Sequence, residues 1–273
     1  MKFNCGITGH TGVLGSELIK KYRNINFIKF GGDITNRKNV RNWLINKNIN
    51  IIFHLAALVP TRIVKRNPKK ANKVNYLGTK ILVDEVINLS RVKWFFFSST
   101  SHVYKFSKKK INEKAKIKPT TFYGLTKFKA EKYIKENLHK AKISFCVARI
   151  FSFTSKRQTS EYVIPNIIKK AKSKEKIINF KNTNHYRDFL STNDICRAIN
   201  LLFKKKASGI YNIGSGKKVL ISDIIKIVFN KYNKIYKIHE NNKATCLVAD
   251  NSKIKKLKWK PKNNINSIIN ELI

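Results

Sequence analysis

Acidic residues are scarce in this chain. Only 15 Asp and Glu stand against 58 Lys and Arg, a formal net charge of +43 over 273 residues. Arginine is scarce as well, with 10 of the 58 cations. Arginine is the better reader of bases and phosphates, so its rarity argues against a nucleic-acid partner. The lysines are spread along the whole chain, and Lys, Asn and Ile share A/T-rich codons. A compositional bias therefore accounts for the charge as well as an anionic partner does. Four cysteines, Cys5, Cys146, Cys196 and Cys246, lie far apart with no C-x-x-C. That excludes a disulfide framework and a zinc site, and we expect reduced thiols, a cytoplasmic protein and no metal. No apolar run reaches the ~18 residues of a membrane span. The opening MKFNCGITGHTG runs from a short apolar stretch straight into glycines, as a first strand does and a signal peptide does not. Internal repeats and low-complexity linkers are missing too. Hydrophobic residues make up 42% of the chain, enough for a packed core.

What is present is alternation. Apolar strands are expected at 2–8, 25–30, 49–57, 92–99 and 143–151. Helical patterns fall between them, including 36–48 with Val40, Trp43 and Leu44 on one face, a long helix at about 70–90, and 123–140. Strands alternating with helices predict an α/β fold, a doubly wound parallel sheet of Rossmann type covered on both faces. Beyond about residue 152 the alternation loosens into helices 163–174, 193–204 and 221–231 with strands 177–180 and 210–214. We expect residues 1–152 to form a dinucleotide-binding domain, to which some later segments return, and 153–273 to form a smaller mixed lobe.

The turn Gly9-His10-Thr11-Gly12-Val13-Leu14-Gly15 follows a strand and opens a helix. In that context Gly9 allows the tight turn, Gly12 admits a pyrophosphate to the backbone, and Gly15 permits close helix–strand packing. The helix N-terminus presents N–H groups and partial positive charge to the phosphates. NAD or NADP is the expected cofactor. Asp33, in GGDIT, lies at the distance expected of an acidic residue on the adenosine.

Tyr123 and Lys127 form Y-x-x-x-K. Spaced i, i+4 on a helix, they share one face. A lysine ammonium there stabilises a tyrosinate and brings the tyrosine into service as general acid or base. Thr100, closing the strand before it in SSTSHVY, is placed to hydrogen-bond the same reacting oxygen.

Taken in order, these residues resemble the extended short-chain dehydrogenase/reductase family, the NAD-dependent epimerase/dehydratase type that acts on nucleotide sugars. TGHTGVLG is similar to its dinucleotide turn and GDIT to its adenine segment, with Asp33 and Ile34. HLAA, with Leu55, Ala56 and Ala57, resembles the strand end beside the pyrophosphate and nicotinamide ribose. Asn75 with Gly78 and Thr79 resembles N-x-x-G-T. Arg187-Asp188-Phe189 before Asp194, then YNIGSG and the closing Asp250-to-Pro261 segment, also match. The resemblance implies Thr100, Tyr123 and Lys127 as a catalytic trio and Ser98, Asn75 and the segments above as cofactor contacts, together with Tyr123 and Lys127, whose ammonium can hold the cofactor ribose. It implies Arg187, with Ser152, as substrate contacts, Arg187 on the nucleotide diphosphate. The alternative for Arg187 is an ion pair between lobes with an acid such as Asp194.

Two departures shape the expected activity. Dehydratases of this type carry Asp-Glu after the catalytic threonine, whereas Ser101-His102 stand here. R-x-x-N, whose asparagine touches substrate, reads Arg149-Ile150-Phe151-Ser152. We therefore expect an NAD(P)-dependent 4-ketoreductase of a nucleotide-linked hexose, with a 4-epimerase holding its NAD as the alternative. A non-catalytic dinucleotide binder and an RNA-associated protein are more distant readings. A homodimer is expected, and His54 reads as buried scaffold.

Overall fold

The computed structural model describes residues 3–59 and 61–273. Its chain runs β1 (Cys5–Thr8), α1 (Val13–Lys21), β2 (Phe27–Lys29), α2 (Arg37–Asn46), β3 (Ile51–His54), α3 (Thr61–Arg66), α4 (Pro68–Asn72), α5 (Gly78–Leu89), β4 (Trp94–Thr100), α6 (Phe122–Lys140) and β5 (Ser144–Ile150). It continues through β6 (Ser152–Thr154), α7 (Val163–Ala171), β7 (Ile177–Lys181), β8 (Tyr186–Arg187), β9 (Phe189–Ser191), α8 (Thr192–Lys204), β10 (Gly209–Ile213) and β11 (Val219–Leu220). It ends with α9 (Ile221–Lys231), β12 (Ile235–His239), β13 (Cys246–Leu247), α10 (Ser252–Lys255) and α11 (Ile265–Leu272).

The chain divides into two compact units. The first holds Met1–Lys105, Lys116–Ile150 and Cys196–Tyr211; the second holds Phe106–Ala115, Phe151–Ile195 and Asn212–Ile273. A six-stranded sheet in the order β10-β5-β4-β3-β1-β2 organises the first unit. Its β1–β2, β1–β3, β3–β4 and β4–β5 pairs are parallel. Burial on both faces explains the composition of the central strands: Trp94, Phe95, Phe96 and Phe97 are all buried along β4. Val40, Trp43 and Leu44 do form the buried face of α2. The helix expected around 70–90 is interrupted, because Lys73–Leu77 take one π-helical turn between α4 and α5. Strand β2 is shorter than expected, with three residues.

The second unit has its own core of Ile164, Ile167, Ile168, Phe180, Ile224, Ile225, Val228, Phe229 and their neighbours. Three small sheets follow in this part of the chain: β11-β8-β13, β12-β7 and β6-β9. The four cysteines are separate buried thiols. No helix among the described residues is long and apolar enough to cross a membrane.

Candidate active site

In a parallel sheet the C-terminal ends of neighbouring strands open on one edge. Here β1, β3 and β4 are neighbours, so the glycine turn, the segment from Leu55 and the Thr100 end meet on that edge. The direction of strand order reverses between β1 and β3, where such sheets hold ligands.

The turn is built from close approaches. Gly9 sits at φ +71°, and a Cβ there would stand 2.6 Å from the Ala56 nitrogen. A Cβ on Gly15 would stand 2.3 Å from the Gly9 carbonyl oxygen. Gly12 differs: its Cβ would meet only that oxygen, at 3.3 Å. Gly12 is exposed and caps α1 with no side-chain cap, and no acid occupies the first turn. The outer side of the turn thus offers open backbone and a bare helix N-terminus, a cradle that suits a pyrophosphate. His10 and Val13 are half-buried, Thr11 is exposed and Leu14 is buried. Asp33 is exposed, its Oδ1 accepting from the Thr35 backbone and hydroxyl at 2.8 Å each. Those bonds hold its carboxyl below the ordinary range. Ile34 is buried, and a Cβ on Gly78 would stand 2.8 Å from its Cγ2.

A directional hydrogen-bond chain fixes the loop after β3. The Thr79 hydroxyl donates to the Asn75 carbonyl at 2.8 Å, so at its 2.8 Å contact with His54 Nε2 it must accept. His54 is therefore the Nε2–H tautomer, and Nδ1 accepts from the Thr8 hydroxyl at 2.7 Å. Thr8 Oγ1 in turn accepts from the Ala56 N–H at 3.3 Å. Burial and the nearby Lys127 charge push His54 down to about 3, so the ring is neutral scaffold as expected. Asn75 is fully buried. Its Oδ1 accepts from the Leu58 N–H at 2.6 Å, while its Nδ2 donates to the Leu58 carbonyl and to Thr126 Oγ1 at 3.2 Å each. Thr126 donates on to the Tyr123 carbonyl. Asn75 thus grips the loop following Leu55, Ala56 and Ala57 and links it to the helix of Tyr123.

Helix α6 starts where Thr121 accepts from the Gly124 N–H at 3.0 Å. Tyr123 is half-buried, with the His102 ring edge-on at 6.3 Å. One turn on, Lys127 is 1% exposed, its Nζ 4.0 Å from the centre of the Phe97 ring. Burial pulls its ammonium down to about 7, and Glu131 partly opposes this. Thr100 is buried and its Oγ1 accepts from the His102 N–H at 3.2 Å. Ser98 is half-buried on β4.

Sequence reasoning missed the group behind this ridge. Glu131 is buried and accepts from Ser99 Oγ and from Arg149 Nε and Nη2, the last at 2.6 Å. Arg149 Nη1 also donates to the Tyr104 hydroxyl at 2.9 Å. The available signal was Glu131 itself, an acid four residues beyond Lys127 on the same helical face.

Ser152 and Arg187 belong to the second unit. Ser152 is half-buried at the start of β6. Arg187 Nη1 donates to the carbonyls of Tyr186 and Thr245, and Nη2 donates to Thr245 Oγ1. Its guanidinium lies 5.7 Å from the centre of the Phe106 ring. Burial lowers its affinity for the proton. The carboxylate of Asp194 accepts from the backbone of Lys262 and Asn263 and from Ser191. The neighbouring Asp188 is fully buried, accepting from Ser215, Gly216 and Ala249, which anchors the strand carrying Arg187.

Comparison with known proteins gives a consistent picture. The model of the family described as GDP-mannose 4,6 dehydratase matches residues 8–272. A protein of Methanocaldococcus jannaschii named as a putative UDP-glucose 4-epimerase is 26% identical, covering 98% of this chain and 96% of that protein. The GDP-6-deoxy-D-talose 4-dehydrogenase of Aggregatibacter actinomycetemcomitans is 27% identical over 91% of this chain and 88% of its own. Among solved structures, RMD from Pseudomonas aeruginosa complexed with NADPH superimposes with a TM-score of 0.89 at 18% identity, covering 99% of this chain and 97% of that one.

Proposed function

The chain belongs to the GDP-mannose 4,6 dehydratase family of extended short-chain dehydrogenases/reductases, and from that premise we propose that it is an NAD(P)-dependent 4-ketoreductase of a nucleotide-linked hexose. The observation that carries the reading is the Tyr123–Lys127 ridge beside the hydroxyl-ended strand β4, with Ser101-His102 where a dehydratase needs an acid and a base. The Aggregatibacter relative, named as a 4-dehydrogenase of a GDP-deoxysugar, supports the substrate class, and the NADPH held by RMD supports the cofactor.

Gly9 to Gly15 would hold the pyrophosphate and Asp33 with Ile34 the adenosine. Ser98 and the loop from Leu55 to Ala57, gripped through Asn75, would hold the nicotinamide half. A dinucleotide held there would supply the hydride chemistry at C4. Tyr123 gives its phenolic proton to the C4 oxygen as the ketone becomes an alcohol. Lys127 stabilises the phenolate left behind, and the Thr100 hydroxyl donates to the same oxygen and fixes its position. Arg187 would bind the diphosphate, since its planar fork suits phosphate oxygens and its side-chain bonds in the structure go to carbonyls and a hydroxyl. Ser152 would touch the sugar.

The M. jannaschii relative, named as a putative epimerase, favours a second reading: the same trio would move the proton at the C4 oxygen in both directions, while a retained dinucleotide would supply the hydride chemistry at both faces of C4. Incubation with a panel of nucleotide sugars and their 4-keto forms separates the two. Stoichiometric loss of NAD(P)H on a 4-keto sugar is the expected result. A C4 epimer formed with the cofactor retained establishes the epimerase. Cofactor binding with no turnover on any member rejects both.

A further inference from the structure

We infer that Glu131 is a positioning residue for proton transfer, clamping the Tyr123–Lys127 ridge of α6 to the end of strand β4 and setting the electrostatic balance of Lys127. The inference rests on the proposed roles of Tyr123 and Lys127.

The geometry is a clamp across two strands. Ser99 and Arg149 are directly opposed in the β4–β5 register, and both bind the Glu131 carboxylate. Ser99 immediately precedes Thr100. Tyr123, Lys127 and Glu131 succeed one another at i, i+4 and i+8, so they form one row along α6. A carboxylate fixed at both strands therefore fixes the rotation of that row against the Thr100 end. Arg149, in turn, is held by Tyr104, which follows the same strand.

Stability alone is a poor reason for this arrangement. Glu131 and Arg149 are each 4% exposed at the side chain. Buried pairs of this kind cost several kcal/mol in lost hydration, and apolar replacements are often as stable. What an apolar pair cannot do is act on the charge of Lys127. Burial disfavours that ammonium, and Glu131 favours it.

The other groups around Lys127 do not substitute for Glu131. His54 on β3 is neutral. His102 packs against Tyr123. On the helices packed against α6, Arg62, Lys65, Arg66, Lys69, Lys70 and Lys73 are exposed. Asp84 and Lys80 of α5 meet Tyr133, and Tyr76 meets Lys129, further along α6. Glu85 pairs with Arg37 and Arg41.

The test is a pH titration of tyrosinate absorbance in the NAD-bound full-length protein, with Tyr123→Phe subtracted, alongside the pH profile of kcat/KM. Glu131→Gln weakens the Lys127 charge, and the tyrosinate loses its support. The Tyr123 ionisation and the alkaline limb of kcat/KM for ketone reduction, which needs the protonated phenol, are expected to move together to higher pH by about one unit. If the single variant does not fold, Glu131→Gln with Arg149→Gln removes both buried charges and is expected to shift the curves in the same direction. Curves that coincide with wild type in a folded variant overturn the inference alone. A wild-type titration indistinguishable from that of Tyr123→Phe overturns the catalytic reading, and this inference with it.

Discussion

The Thr8 hydroxyl gives its proton to His54 Nδ1 at 2.7 Å, which leaves no place in the buried chain for a second proton on that ring. The folded His54 titrates near 3, below the ordinary 6.5 of the unfolded chain. Between those values the unfolded state holds more protons, so stability is fully present above about pH 6.5 and is lost as pH falls toward 3. The loss has a slope of up to about 1.4 kcal/mol per pH unit. His54→Asn has no such titration. The stability difference between wild type and this variant, from urea unfolding, is expected to shrink between about pH 7 and about pH 5. A constant difference would falsify the neutral state assigned to the folded His54 ring between those pH values.

Lys127 carries the opposite conflict, between stability and chemistry. Its folded value of about 7 lies below the ordinary 10.5. The unfolded chain therefore binds more protons between those values, and stability rises as pH climbs from about 7 toward 10.5. Lys127→Met is expected to stabilise the cofactor-free protein at neutral pH by about 1–3 kcal/mol while turnover falls by about a thousandfold. Thermal unfolding and a single-turnover assay check both halves. A destabilised Lys127→Met protein would contradict the burial cost.

The glycines of the turn separate folding from binding. Gly15→Ala drives a Cβ into the Gly9 carbonyl at 2.3 Å, and should cost about 1–3 kcal/mol of stability. Gly12→Ala meets that oxygen only at 3.3 Å. It is expected to leave the melting temperature nearly unchanged and to weaken NAD(P) binding about tenfold or more, measured by fluorescence titration. Equal affinity in Gly12→Ala and wild type would remove the pyrophosphate from that position.

Arg187 offers a fork where an ammonium offers a point. Arg187→Lys is expected to weaken binding of a nucleoside diphosphate by about 1.5–3 kcal/mol, the range for hydrogen bonds to charged groups. KM for the nucleotide sugar should rise with kcat little changed. Calorimetry with the free nucleoside diphosphate reads the first effect without turnover, and unchanged affinity would assign Arg187 to scaffold.

Much of this molecule was legible before folding was considered. Alternating apolar strands and amphipathic helices announce a parallel sheet because burial on two faces demands apolar runs, as in Trp94 to Phe97. Gly9 and Gly15 stand out because they sit between a strand and a helix at a local spacing, and Tyr123 with Lys127 because helical spacing is local. These are properties of residues near one another in sequence, where the period of the chain decides the geometry.

Tertiary structure alone decided the rest. Asp33 and Asn75 carry motif signals in the sequence and Glu131 only its spacing from Lys127, and none of these tells which side chain is buried. Folding leaves the first exposed, buries the second against Leu58 and Thr126, and places the third between Ser99 and Arg149, brought together by strand register. The same holds for Phe106–Ala115 and Cys196–Tyr211, which each belong to the other unit from their neighbours in sequence. Partners 18 and 32 residues apart carry no periodic signal, because what brings them together is the order of strands in a sheet.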